Sequence, residues 1–191
     1  LYGLKVTRLS DVEPADVQWF LDKYIPYGKV TLLAGDPGLG KSWVTLDLAA
    51  KLTVGGQMPD RLSSMDVGSV ILLTAEDGLA DTVRPRIDGQ GGDSALVHAV
   101  NCTLDPTLHG RLFSLVDDSI ALELLVRKLD AKLVIIDPLN AFTGGTDSHV
   151  DAQVRRALTP LTNLAENTGT AVLVVMHLNQ STLQPTLYRV Q

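Results

Sequence analysis

The sequence predicts an α/β fold, a mostly parallel twisted sheet with helices on both faces. Three observations predict it. Short apolar runs rich in β-branched residues recur at Val30–Ala34, Ser69–Ala75, Leu133–Ile136 and Ala171–Met176, as expected of strands covered on both sides. Stretches with apolar residues at helical spacing separate them, Trp43–Leu52 and Ile120–Leu129 among them. Finally, each run ends in a group with chemical use: a glycine-rich loop, Glu76, Asp137 and His177. A parallel sheet gathers the carboxyl ends of its strands, so these groups should meet in one crevice.

Bulk properties narrow the field. A chain of 191 residues is long enough for one well-cored α/β domain and short for two. Its parts read as an N-terminal lead over 1–28, packed on the core, and a sheet-bearing domain over 29–191. Net charge is −6, which excludes a generally basic surface; any nucleic-acid contact must come from a local patch or from a channel made on assembly. Cys102 is the single cysteine, so no internal disulfide can form. That suits a reducing compartment and predicts a cytoplasmic location. No apolar run has the length of a membrane span and no signal peptide opens the chain, so no membrane association is expected. The chain starts at Leu1 rather than Met and stops at Val190-Gln191, so trimmed ends are expected.

Taken in order, the lead draws apolar mass from Val12, Val17, Trp19, Phe20 and Ile25, interrupted by Pro14, Pro26 and Gly28. Trp19 reads as its packing anchor. Val30–Ala34 is the first strand, followed without a gap by Gly35-Asp36-Pro37-Gly38-Leu39-Gly40-Lys41-Ser42, the pattern G-x-x-x-x-G-K-[ST]. The helix that starts here reaches about Thr53 and is stopped by Gly55-Gly56. A loop then leads to the strand Ser69–Ala75 and to Glu76-Asp77-Gly78. Asp81–Ile87 gives a helical turn or two around Arg84-Pro85-Arg86. Leu96–Val100 is a short strand, and Leu112–Leu115 reads as another at an edge. Asp117–Leu129 predicts an amphipathic helix with Ile120, Leu122, Leu124, Leu125 and Leu129 as its apolar face. Lys132–Pro138 is a buried strand ending in an acid. After a loop, a long helix runs from about His149 to Asn167 and ends at Gly169. Ala171–His177 is the last strand, and Leu178–Gln191 reads as polar loop.

Strand, glycine-rich loop and helix together predict a phosphate-binding site. Glycines let backbone N–H groups turn inward around phosphate oxygens, and the helix aims its positive end at the same point. Gly35, Asp36, Pro37, Gly38, Leu39, Gly40, Lys41, Ser42 and the adjoining Trp43 are the candidate binding residues. Lys41 would reach the β- and γ-phosphates of ATP, and the Ser42 hydroxyl would ligate Mg²⁺. Asp137, closing a Walker B type strand, would hold the same metal, directly or through water. Pro138 stands where a second acid could orient the attacking water, so Glu76 is the candidate for that task, with Asp77 as the rival. His177 reads as a γ-phosphate sensor, or as a histidine bonded to nearby backbone. Arg84 and Arg86 flank the adenine or contact phosphate in one reading and form a solvated helix face in the other. Trp19 as a wall near the base is a lesser reading of that residue. Arg189 reads as an arginine finger offered to a neighbouring subunit. His98, His109 and His149 have no metal-ligand spacing among them or with Cys102.

In this order the phosphate loop, Thr74-Ala75-Glu76-Asp77-Gly78, Ile135-Ile136-Asp137-Pro138-Leu139 and Met176-His177-Leu178-Asn179 resemble the RecA-like P-loop ATPases of the RepA type. These are relatives of hexameric plasmid and phage replicative helicases, sometimes grouped with the AAA ATPases. The likeness extends to Asp81-Thr82-Val83-Arg84-Pro85-Arg86 and to Thr146-Asp147-Ser148-His149, and covers roughly Pro26 to Gln191. It implies a RecA-like fold, Mg²⁺-dependent ATP hydrolysis, a hexameric ring of identical subunits, and coupling to DNA replication or unwinding. It also implies that Glu76 is the catalytic glutamate, Asp137 the Walker B aspartate and His177 the γ-phosphate sensor. Phe142–Ser148 and the tail after Asn179 would then line a channel for single-stranded DNA. Phe142–Ser148 contains no Lys or Arg, and Gln180 stands where relatives often carry lysine, whereas single-strand grooves use cations and aromatic platforms. A nucleotide-gated regulatory or binding module with little DNA activity is the second reading. A metabolic P-loop kinase ranks last, because no arginine-rich lid is evident.

Overall fold

A computed structural model of the chain describes residues 6–59, 66–100, 113–143 and 150–177. The lead contributes a two-stranded antiparallel ribbon, β1 (Trp19–Leu21) and β2 (Ile25–Pro26). Among the described residues the main sheet has five parallel strands: β3 (Val30–Gly35), β4 (Ser69–Thr74), β5 (Val97–Val100), β6 (Ala131–Asp137) and β7 (Ala171–His177). Their order across the sheet is β3-β7-β6-β4-β5. Among the described residues the strand before the phosphate loop therefore lies at an edge, where Leu32 is 45 % exposed. The α-helices among the described residues are α1 (Lys41–Thr53), α2 (Arg84–Gly89), α3 (Ser119–Leu129) and α4 (Val150–Thr168).

Side chains of a strand alternate between faces, and the core divides accordingly. On one face Val70, Leu72, Leu133, Ile135 and Leu173 pack with Leu46, Ala49 and Leu52 of α1 and Ile87 of α2. On the other, Ile71, Leu73, Val134, Ile136 and Val174 pack with Leu122 and Val126 of α3 and with Leu161 and Leu164 of α4. Removing such a side chain from water is worth about 1.5–3 kcal/mol. These two layers cover both faces of the sheet, and its parallel strands end on one side. The α/β architecture expected from the sequence is the one observed, consistent with a RecA-like P-loop fold.

Several local expectations are corrected. The anchor of the lead is Phe20, fully buried and edge-on to Tyr27 at 5.9 Å, while Trp19 is 38 % exposed. Neighbours in a strand face opposite ways, and the smaller ring took the inner side. Phe113–Leu115 is no strand. The Leu115 N–H donates to the Phe142 carbonyl (2.9 Å), and the Ser114 N–H to Oδ2 of Asp118 (2.8 Å), which turns the chain into α3. On α3 the buried pair is Leu122 and Val126, four apart, with Leu125 and Leu129 half-buried beside them. Ile120 and Leu124 face solvent. Helical structure after β4 begins at Leu79, as a π-helical turn over Leu79–Val83, before α2. Ser94–Leu96 is a 3₁₀ turn, so β5 starts at Val97. The tail from Leu178, with Arg189, lies outside the described residues, as do His109 and the segment 144–149. No helix among the described residues is long and apolar enough to cross a membrane.

Candidate functional site

The site begins where β3 runs out. Gly35 is in register with His177, the last residue of the neighbouring β7. Gly38 and Gly40 then take φ of +80° and +82°, the left-handed region in which a Cβ is penalised. Gly40 heads α1 without a side-chain cap, leaving the first helical N–H groups to face the loop. Lys41 is only 8 % exposed, and its ammonium donates to the carbonyls of Gly35 (2.8 Å) and Asp36 (2.9 Å). These two bonds satisfy a charge that burial would otherwise penalise. One turn on, the buried Thr45 donates from Oγ1 to the Ser42 carbonyl (3.0 Å), fixing the first turn of α1. Pro37 and Leu39 form the exposed tip of the loop.

Asp137 closes β6 beside Thr74 of β4 and is 7 % exposed. Burial pushes its carboxyl above the usual aspartate value. A hydrogen bond from the Ser42 side chain opposes that rise, the Glu76 charge adds to it, and His177 and Asp77 act more weakly in opposite senses. The end of β6 is thus brought up to the Ser42 hydroxyl of the phosphate loop. Glu76 lies just past β4, with 63 % of its side chain exposed, and places Oε2 3.7 Å from Nε2 of His177. The other ring nitrogen of His177, Nδ1, is buried and has no hydrogen-bond partner among the described residues.

The rival acid, Asp77, is committed elsewhere. Its Oδ2 accepts from Nη1 of Arg86 at 2.8 Å, and the guanidinium carbon of Arg86 lies 4.9 Å from the centre of the Trp43 ring. Arg84 instead pairs with Asp88 (2.8 Å) on an exposed helix face. Phe142, which the resemblance puts at the start of a channel loop, is fully buried against Phe113. Sequence reading missed Thr45 and the engagement of Asp77. The three-residue spacing of Ser42 and Thr45 is a signal for the first; the second depends on how α2 lies against α1.

Whether Mg²⁺ suits this site follows from its donors. Ser42 and Asp137 offer hard oxygen ligands next to a phosphate cradle, and among the described residues no group of three or more His, Cys, Asp or Glu gathers elsewhere. Mg²⁺ takes one or two protein oxygens, keeps water and shares phosphate oxygens, so these residues fit it.

A family model for the AAA domain matches residues 3–182. The chain belongs to the AAA domain family. The match supports an ATPase domain with a nucleotide-binding P-loop. The match to the AAA domain spans the phosphate loop, Glu76, Asp137 and His177, and stops short of Arg189. A search of curated proteins finds no match to the chain.

Proposed function

We propose that this AAA domain binds ATP with Mg²⁺ at Gly35–Ser42 and hydrolyses it with a water oriented by Glu76. The observation that carries the reading is the convergence of the Lys41 loop, the buried Asp137 at the end of β6, and Glu76 and His177, 3.7 Å apart, at the adjoining strand ends. Backbone N–H groups of the loop and of the α1 N-terminus would receive the phosphates. Lys41, now spanning the carbonyls of Gly35 and Asp36, sits within the same loop and would transfer its bonds to the β- and γ-phosphates. Ser42 and Asp137 would hold Mg²⁺, which supplies neutralisation of the phosphate charge when bound. Glu76 is exposed enough to meet water and would accept its proton; His177, 3.7 Å away, would sense the change at the γ-phosphate and pass it into β7.

Glu76→Gln is the test: ATP binding is retained while turnover falls to background. Unchanged turnover overturns the assignment of Glu76.

What the ATPase drives divides into two readings. Coupling to DNA in a hexameric ring, as a helicase-like replication protein, is supported by the RepA-type motifs, and it gives Arg189 a role in trans. A nucleotide-gated regulatory module is supported by the net charge of −6 and by a channel-loop segment, 142–148, without Lys or Arg. ATPase rate with and without single-stranded DNA at low salt separates them, since phosphate contacts are strongest there. Stimulation and a nucleotide-dependent hexamer mass favour the ring; neither DNA binding nor stimulation favours the module.

A further inference from the structure

Two of the three groups in the Asp77–Arg86–Trp43 contact flank residues of the proposed ATPase site directly. Asp77 follows Glu76, and Trp43 follows Ser42 in the first turn of α1. Arg86 bridges them, 2.8 Å from the Asp77 carboxylate and 4.9 Å from the Trp43 ring centre, with only a quarter of its side chain exposed. A guanidinium can serve both partners at once, because its plane stacks on a ring while its edge donates to a carboxylate. The bridge has a firm base. The N–H groups of Thr82 and Val83 both donate to the Gly78 carbonyl (3.1 and 3.0 Å), and Val83 and Ile87 are buried beneath. The Asp81 carboxylate lies close over Gly78, where a Cβ would meet its Oδ1 at 2.2 Å and the carboxylate would have to swing aside. Glu76 itself is held only by His177 among the described residues. The turn that carries it is therefore fixed through its neighbour.

We infer that Asp77, Arg86 and Trp43 form a link that positions Glu76 over the phosphate loop, with Asp77 and Arg86 as positioning residues and Trp43 as the platform. The inference rests on the ATPase reading above. It assigns the two acids of Glu76-Asp77 different tasks: one meets water, the other ties the turn to α1. It also predicts a direction of communication. Movement of α1 on nucleotide binding pulls the Glu76 turn through Arg86, so the water-orienting acid is drawn in only when the loop is filled.

The chain has two tryptophans, Trp19 and Trp43. In the 191-residue chain with Trp19→Phe, emission reports on Trp43 alone. Asp77→Asn and Arg86→Gln are each expected to lower kcat about 10- to 100-fold, the cost of a misplaced catalytic group, with nucleotide Kd held within about threefold. The double variant is expected to lose no more than either single one, because one link is being cut. Trp43→Phe keeps an aromatic platform and is expected to lower kcat less than Trp43→Ala, which matches the charge variants. Trp43 emission should shift in both charge variants, as the cation leaves the ring. Thermal melts confirm that each variant is folded.

Unchanged kcat in the charge variants, or strictly multiplicative losses in the double variant, would overturn the positioning role. A loss confined to Kd would overturn it too, making Arg86 a nucleotide contact. If the wild-type chain itself shows no turnover, the ATPase reading fails instead. Emission still decides the link in that case: an unshifted spectrum in Asp77→Asn and Arg86→Gln sinks it.

Discussion

Nε2 of His177 stands 3.7 Å from Oε2 of Glu76, at the carboxyl edge of strands that are not neighbours in the sheet. An imidazole at that distance can steady the carboxylate or, when a γ-phosphate arrives, turn toward it. His177→Ala should therefore leave ATP affinity within about threefold and lower turnover about 10- to 100-fold, the range for loss of one polar group that acts on developing charge. Parallel measurement of Kd by titration and of kcat by phosphate release checks the separation. A loss seen only in Kd would show that His177 is a simple binding residue.

Lys41 makes a different prediction. It is buried and already satisfied by two carbonyls of its own loop. Lys41→Ala removes a charged donor to phosphate, worth roughly 1.5–3 kcal/mol, or about 10- to 150-fold in Kd. Stability without nucleotide should change little, because the lost bonds are offset by removing a buried charge. Isothermal titration and a urea melt on the same sample test both halves.

Asp137 couples the site to pH. Its folded pKa is raised, chiefly by burial, so between the ordinary aspartate value and the raised one the native state binds more protons than the unfolded chain. In metal-free protein stability should thus fall as pH climbs through that window. With Mg²⁺ and nucleotide the slope should reverse, because a metal takes the ionised form and displaces the proton. Asp137→Asn should flatten the metal-free profile. Denaturant midpoints collected across mildly acidic pH, with and without Mg²⁺ and nucleotide, supply the comparison.

Gly92 offers a purely structural test. A Cβ there would lie 2.7 Å from Cα and 2.8 Å from Cβ of Ala50, inside the backbone of α1. Gly92→Ala must push the turn after α2 off α1 and should cost roughly 1–3 kcal/mol. Because α2 carries Arg86, the same variant should also disturb Trp43 emission. A melt unchanged from wild type would mean that the turn gives way freely.

Much of this was legible in the sequence for a physical reason. Runs such as Val70–Leu73 and Leu133–Ile136 are apolar at every position, which only a sheet covered on both faces satisfies, and they are fully buried. The phosphate loop was equally plain, because left-handed φ at Gly38 and Gly40 is a demand that glycine meets locally. Contacts set by packing were not legible. Choosing Phe20 over Trp19 for the core, or Val126 over Ile120 on α3, depends on what faces each residue across space. Arg86 illustrates the limit best. Its sequence neighbours suggest a solvated helix face, yet Asp77, nine positions away, and Trp43, on another helix, take it up.

The edge position of β3 has a mechanical meaning. Among the described residues β3 is laced to one neighbour, β7, continuously from Val30 beside Val172 to Gly35 beside His177. The rod that carries the phosphate cradle is thus riveted along one side to the rod that ends in the proposed sensor. Such a joint is stiff along its length and more compliant on the side away from β7. On the proposed function, strain at a bound triphosphate would have β7 as its shortest path among the described strands, and Gly35 and His177 would travel as a pair. A sheet with the cradle at its centre would spread the same strain over two neighbours and weaken the signal in each.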